Sequence, residues 1–340
     1  MQLFVNARFL TQPLSGVQRY GIEISRQIKK LNPEAVFFTP KNIIHKNIAK
    51  ELDAKIIGIS SGHIWEQSEL PLHLSNNIPL FNPGNTAPYF YANNYITIHD
   101  LAFRFFPQWN SKSFSQYYNW LIPKIAKKAR HVFTVSNTVK KELHKYLGIP
   151  DSNLTVTYNG IPENFKAHNI SQKKEQIVLS VGSFNKRKNS DKLIQAFLQS
   201  GIRNDYVLIV VGNRDKIFAE AGISTSHPNI QILENVNDEQ LLELYQRAEM
   251  AVSLSQYEGF GIPVLEALFF GCKTLASDIK VYHEIYNDYV CYCNPQNIAD
   301  VTDSLEALAK FPTKDLTHEL LKKYNYRDSA TTILNTIASK

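Results

Sequence analysis

No stretch of this chain approaches the roughly 18 consecutive apolar residues needed to cross a bilayer. The opening "MQLFVNARFL" lacks both a basic leader and a long apolar core, so a cytoplasmic protein is expected. Cysteine is scarce. Cys272, Cys291 and Cys293 form an odd set with no CxxC pair, which argues against a disulfide framework and against a zinc site, and leaves them as small core residues. Low-complexity tracts and internal repeats are also missing, and hydrophobic residues at 44% with charged residues at 20% describe an ordinary globular chain rather than a disordered one. The dinucleotide fingerprint GxGxxG, required directly after a strand, is absent too: its nearest match, Gly259-Phe260-Gly261-Ile262-Pro263-Val264, has valine at the third glycine position. A nicotinamide-dependent oxidoreductase is thereby disfavoured.

What is present alternates. In the first half, β-rich runs such as "LFVNARF", "VFFTP", "YITIHD" and "HVFTVS" are punctuated by the amphipathic "GVQRYGIEISRQIKKL" and "NTVKKELHKYLG". The second half repeats the scheme with strands at "QIVLSVG", "YVLIVVG", "IQILEN", "EMAVSLS", "KTLAS" and "YVCYC". Near-continuous apolar strands separated by helices imply an α/β fold with parallel sheets covered on both faces. A length of 340 residues suits two such domains. The segment around residues 160–174, "GIPENFKAHNISQK", loses all periodicity and reads as the hinge. Two doubly wound domains are expected, 1–165 and 166–320, with a cleft between them because ligands of such sheets bind at the carboxyl ends of the strands. A last helix, 321–340, is expected to return to the amino-terminal domain.

Charge is uneven. Residues 1–165 carry 18 Lys and Arg against 10 Asp and Glu, a net +8, whereas residues 166–340 come to −2. Within the basic half, "FSQYYNWLIPKIAKKARHVF" sets Tyr117, Tyr118, Leu121, Ile122 and Ile125 at helical spacing beside Lys124, Lys127, Lys128 and Arg130, a pattern suited to anionic lipid headgroups. An ordinary surface helix is the alternative, and Pro123 could kink it.

Two short stretches carry the chemistry. In "QYEGFGIPVLEALFFGC", residues 256–272, proline at a first turn and Gly271 as a left-handed cap frame a short helix that is apolar around its whole circumference except at Glu266. A buried carboxylate needs a partner. A ligand diol, such as a ribose, is one candidate and an ion pair with Lys273 is the other. Glu258 precedes that helix in a loop where Gly259 and Gly261 permit close backbone approach to a ligand. The second stretch, "SFNKRKNSDKL", follows a strand and places Arg187 and Lys188 at a helix start whose Asn189, Ser190 and Asp191 are capping types. Two cations at a strand-to-helix turn suit a phosphate, while solvated loop side chains are the plain alternative.

Taken in order, G-x-x-x-(R)K-N, a strand ending "VG", "N-D-E-x-L-x-x-L-Y", "E-G-F-G-I-P-V-L-E-A" and "G-C-K-T-L-A-S-D" resemble a retaining glycosyltransferase of family 4 with the GT-B fold, two Rossmann-like domains facing across a cleft. The resemblance extends along nearly the whole chain. It implies that Glu266 holds ribose hydroxyls, that Glu258 contacts hydroxyls of the donor hexose, and that Gly259, Phe260, Gly261 and Ile262 offer backbone groups to sugar and diphosphate. Lys188 matches the family's phosphate-binding lysine. Where many members have an arginine five positions earlier this chain has Ser183, so Arg187 takes that role. Gly16 in "SGVQRYG" resembles the family's glycine loop, and "TIHDLAF" matches its strand-end pair, His99 toward the donor sugar and Asp100 toward the acceptor. Base recognition is expected from backbone groups near Glu234, Asn235 and Val236. "HIWEQSELPLHL" and "NPGNTAP" look like a subgroup associated with bacterial surface polysaccharides, including mannosyl and rhamnosyl transfer.

The resemblance further implies transfer with retention from a GDP-, UDP- or dTDP-linked sugar to a saccharide or polyprenyl-diphosphate-linked acceptor at the inner face of the cytoplasmic membrane, with no cofactor and no nucleic acid. The chain contains no D-x-D triplet, so no metal is expected, and Arg187 and Lys188 are left to meet the charge on the departing diphosphate. A nonhydrolysing sugar-nucleotide epimerase and a catalytically silent sugar-nucleotide-binding subunit are the alternatives.

Overall fold

A computed structural model describes residues 1–166, 173–182, 186–212, 227–312 and 316–340. The chain forms two compact units, Met1–Asn159 with Asn325–Lys340, and Gly160–Tyr324.

The first unit is built on a parallel sheet. Its strands are β1 (Phe4–Asn6), β2 (Val36–Thr39), β3 (Lys55–Ile56), β4 (Leu80–Asn82), β5 (Asn94–Ile98), β6 (His131–Thr134) and β7 (Leu154–Val156), in the order β3-β2-β1-β4-β5-β6-β7. Chain order reverses between β1 and β4, which puts the crevice of this sheet at their carboxyl ends. Four of these strands are plain in the sequence. The other three, β3, β4 and β7, are as short as β1 or shorter and lack the longer β-rich run, "LFVNARF", that marks β1.

Helices cover both faces. Gly16–Leu31 buries Tyr20, Ile22, Ile24 and Ile28, and Asn137–Leu147 buries Val139, Leu143 and Leu147, ending at Gly148 with φ +68°. The helix Lys112–Lys128 runs through Pro123 unbroken. Its start is capped by the Ser111 hydroxyl, which accepts from the Phe114 amide at 3.2 Å. The helix Tyr326–Ala338 belongs to this unit and packs on Gly16–Leu31. It buries Ala330, Ile333 and Ile337, and its Ser329 hydroxyl donates to the Tyr158 carbonyl at 2.7 Å.

The second unit repeats the winding with all six strands expected from sequence: β8 (Glu175–Val181), β9 (Val207–Val211), β10 (Ile230–Leu233), β11 (Ala248–Ser253), β12 (Lys273–Ser277) and β13 (Cys291–Cys293). They are parallel, in the order β10-β9-β8-β11-β12-β13. The reversal falls between β8 and β11. Gly182 follows β8 there, and "SLSQYEGFG" leaves the sheet at the end of β11. Val178, Leu208, Val210, Met250, Val252 and Leu275 form the centre of the core beneath. The cysteines are free, Cys272 and Cys293 being buried.

Because Ile333 is fully buried, on the helix that packs against Gly16–Leu31, Ile333→Ala should destabilise the first unit by about 3 kcal/mol through lost burial and an unfilled cavity. Denaturant melts followed by circular dichroism check this, and an unchanged midpoint would contradict the packing described.

Candidate functional site

The second unit places a cluster of two cations and a carboxylate at the β8/β11 reversal. Glu258 accepts from Arg187 Nη1 at 3.0 Å through one carboxylate oxygen and from Lys188 Nζ at 2.6 Å through the other. Burial by itself would raise this carboxyl, but the two cations and the Ser255 hydroxyl outweigh it and bring it down to about 2. The group is ionised at any physiological pH. Arg187 also donates to the Tyr257 carbonyl at 3.2 Å. Thus the two cations and the carboxylate singled out in the sequence are brought together, in contact with one another.

A second set of bonds fixes the loops that carry them. The Gln256 amide donates to the Arg187 carbonyl at 2.9 Å, and its side-chain nitrogen donates to the Lys186 carbonyl and to Asn189 Oδ1. Asn189 is at the helix start, as expected, yet its side chain does not cap that helix. With φ +51° it turns under the loop and donates to the carbonyls of Leu254 and Pro295. Capping is given up for a tie between neighbouring strand ends. Gly182 has φ +151°, and a Cβ there would stand 3.1 Å from the Lys188 side chain, so glycine leaves room for the lysine stem along β8.

Downstream of Glu258 the chain passes Gly259 and Phe260, both buried, to Gly261, whose φ is +94°. A Cβ at Gly261 would come within 2.4 Å of the Tyr282 ring, so no larger residue fits. Tyr282 is held by the Ser253 hydroxyl at 2.8 Å, and Tyr286 donates to the Gly261 carbonyl at 2.7 Å. The helix Ile262–Phe269 then begins, with Pro263 in its first turn and Gly271 beyond its end at φ +71°. Glu266 is 2% exposed, and its Oε2 accepts from the Tyr245 hydroxyl at 3.0 Å. Lys273 is not its partner: that ammonium pairs with Glu249 at 2.9 Å and donates to the Ala309 carbonyl at 2.7 Å.

Asn235 and Val236 follow β10, two strands from β8, with Asn235 exposed at φ +55°. Ser183 lies outside the described residues. Tyr245, Gln256, Tyr282 and Tyr286 are the participants that residue types alone did not single out. Tyr245 does close the "N-D-E-x-L-x-x-L-Y" run, and Gln256 stands two residues before Glu258, so proximity to a motif was the available signal.

In the first unit, His99 follows β5 and is 6% exposed. Its Nε2 donates to the Pro83 carbonyl at 2.8 Å, its backbone amide donates to Asn85 Oδ1 at 2.8 Å, and the Tyr20 ring meets it edge-on at 4.8 Å. Burial lowers its pKa, only partly opposed by the Pro83 bond and Asp100. A carbonyl can only accept, so the neutral ring carries its proton on Nε2 and presents Nδ1 as an acceptor. Asp100 accepts from the Ala102 amide at 2.9 Å. Gly16 is exposed at the first position of the helix Gly16–Leu31. Among the described residues, no three His, Cys, Asp or Glu side chains converge as metal ligands would.

Comparison with known proteins agrees with this arrangement. "Glycosyl transferases group 1" matches residues 161–328 and "Glycosyltransferase Family 4" residues 92–165. Among curated relatives, the O-antigen chain mannosyltransferase RfbU of Salmonella typhimurium is 30% identical over 65% of this chain and 62% of its own length. O-antigen chain mannosyltransferase B of Escherichia coli is 26% identical over 59% of this chain and 57% of its own. The match therefore spans less than two thirds of either relative. Among solved structures, HepE of Anabaena in complex with UDP and glucose superposes with a TM-score of 0.74 at 13% identity, covering 100% of this chain and 99% of that one. WaaG, a glycosyltransferase involved in lipopolysaccharide biosynthesis, gives 0.67 at 16% identity, covering 99% and 95%. With two reversed parallel sheets, a glutamate on either side of the glycine loop and contiguous family matches along residues 92–328, the chain belongs to the group 1, family 4 glycosyltransferases of the GT-B fold.

Proposed function

We propose that this protein transfers a hexose, with retention and without a metal, from a nucleotide-diphosphate sugar to a saccharide acceptor in the synthesis of a bacterial surface polysaccharide. The observation that carries this reading is the Arg187–Glu258–Lys188 cluster at the β8/β11 reversal, next to the buried Glu266. Two cations held at a strand-to-helix turn suit the charge that develops on a departing diphosphate. Glu258 keeps them in register, and its oxygens can exchange those bonds for hydroxyls of the donor hexose as phosphate oxygens reach Arg187 and Lys188. Glu266, steadied by Tyr245, accepts from the ribose hydroxyls. Asn235 and Val236 contribute backbone groups to the base, and Ser183, Gly16 and the 259–262 loop contribute to sugar and diphosphate. His99, through Nδ1, is assigned to a donor-sugar hydroxyl, and Asp100 to the acceptor.

Mannose from GDP-mannose is the donor favoured by the relatives' names. One of them, from Xanthomonas oryzae, is a GDP-mannose:cellobiosyl-diphosphopolyprenol alpha-mannosyltransferase, 27% identical over 49% of this chain and 46% of its own length. UDP and dTDP sugars are the other donors of the test panel. A polyprenyl-diphosphate-linked acceptor would bring the protein to the inner face of the cytoplasmic membrane. No helix among the described residues is long and apolar enough to cross a membrane, and a peripheral site is supported by the first unit. There Trp120 is 52% and Phe90 84% exposed, while Lys124 lies over the Trp120 ring at 4.2 Å and Lys128 over the Tyr89 ring at 3.7 Å. Aromatic rings with basic tips are what a headgroup layer accommodates.

Glu266→Gln keeps the shape and the Tyr245 contact but loses charge-assisted acceptance, so calorimetric donor affinity should weaken by about 1.5 to 3 kcal/mol. Unchanged affinity would remove the ribose assignment. Lys188→Ala should lower turnover on the order of a hundredfold, while the wild type stays active in chelator; activity lost to chelator and restored by a divalent ion would overturn the metal-free mechanism. Changing Lys124, Lys127 and Lys128 together to Gln should reduce sedimentation with anionic vesicles, most strongly at low salt, by up to about 1 kcal/mol per lysine. Equal sedimentation of wild type and triple variant would assign these lysines to a solvated helix face.

A further inference from the structure

The stretch "HIWEQSELPLHL" has no part in the donor chemistry, yet it supplies a fully buried charge to the first unit. Glu66 is 1% exposed and Arg8 8%. Glu66 Oε1 accepts from Arg8 Nε at 3.1 Å and from Asn6 Nδ2 at 2.9 Å. Asn6 Nδ2 also donates to Asn82 Oδ1 at 3.0 Å, and Arg8 Nη2 donates to the Thr86 hydroxyl at 2.8 Å. Asn6 ends β1 and Asn82 ends β4, so this network occupies the crevice where the order of the first sheet reverses.

A buried ion pair contributes little net stability over an apolar replacement of the same volume. Its position at the ligand-binding end of a parallel sheet gives it another use. The front of the network is half open. His63 Nδ1 meets Glu66 Oε2 at 3.3 Å, with the His63 side chain 31% exposed. The Tyr118 hydroxyl, which accepts from Arg8, stands 3.5 Å from His63 Nε2, the outer limit for a hydrogen bond, so the hydroxyl proton and the Nε2 lone pair have capacity for a ligand. The rings of Tyr117 and Tyr118 flank the imidazole edge-on, at 5.0 and 5.7 Å. Burial would raise the Glu66 carboxyl, but Arg8, His63 and Thr86 bring it down to about 2, so it stays ionised and steers the His63 proton to Nδ1.

We infer that His63, Tyr117 and Tyr118 form a pyranoside subsite that selects the acceptor, with Arg8 and Glu66 as positioning residues behind it. His63 Nε2 accepts from one sugar hydroxyl, the Tyr118 hydroxyl serves its neighbour, and the Tyr117 ring packs on the apolar C–H face. Strands β1, β4 and β5 are adjacent, so at the usual spacing this crevice lies about 10 Å from His99 across the same sheet, roughly the span of an acceptor sugar and its linkage. The assignment deepens the transferase reading and rests on it for the word acceptor; the binding of a pyranoside does not depend on it.

The test is saturation-transfer NMR on the full chain with methyl α-mannopyranoside, methyl α-rhamnopyranoside, methyl α-galactopyranoside and methyl N-acetyl-β-glucosaminide. At least one glycoside should receive saturation from the wild type. Tyr118→Phe and His63→Ala should each cut that signal fivefold or more, with GDP and UDP affinities in calorimetry unchanged. Should one variant lower the thermal transition, the other decides. Nitrogen shifts of the His63 ring should report a proton on Nδ1 in the wild type and a tautomer mixture in Glu66→Gln, a change that a merely structural Glu66 would not produce. No glycoside signal with the wild type, or an undiminished signal in both contact variants, overturns the subsite. Failure to bind any nucleotide sugar would instead remove the transferase reading and leave the glycoside result to stand on its own.

Discussion

The second unit depends on one carboxylate shared between two cations. Glu258 leaves the sheet after β11 and Arg187 and Lys188 leave it after β8, so their ion pairs join the two loops that part at the chain reversal. What holds them is this charge cluster together with the bonds of Gln256 and Asn189 and the glycines that let Lys188 and Tyr282 approach. A carboxylate that rests between two cations is also preorganised, because phosphate oxygens can replace it without the cations having to be gathered at the moment of reaction.

The first unit obeys the same rule with different partners. Its buried charge again stands where strand order reverses, with Glu66 between Arg8, Asn6 and His63. Behind His99 the polar groups are neutral: a carbonyl, an asparagine, and Tyr20 bonded through its hydroxyl to Thr157 at 3.0 Å. Each unit thus sets a buried ion cluster at the carboxyl ends of the strands where its sheet order reverses, above an apolar core. Polar groups are retained in a core where packing does not need them chiefly when something else does.

Much of the architecture was legible because parallel strands buried on both faces are written as long apolar runs. All six strands of the second sheet announce themselves so, as does the helix from Ile262 to Phe269. Strands β3, β4 and β7 do not, being two or three residues long with no extended β-rich run around them, so that only their neighbours in the sheet define them. The site residues were legible as types: a carboxylate in an apolar helix, glycines before it, paired cations after a strand. Pro123 shows the limit from the other side, since a helix with tertiary support on Leu121, Ile122 and Ile125 tolerates the missing donor.

By itself the sequence determined the α/β winding, the two-unit division of its charge, and the residues whose chemistry is out of keeping with their surroundings, because burial and backbone preference act on near neighbours in the chain. Partnership was decided by tertiary structure. That Glu266 meets Tyr245 rather than Lys273, that Asn189 ties loops rather than capping a helix, and that Glu66 joins Arg8 across 58 residues all depend on which strand ends the sheet order makes adjacent. A hydrogen bond needs its atoms within about 3 Å, and that distance is set by the folding of remote segments, which no local pattern records.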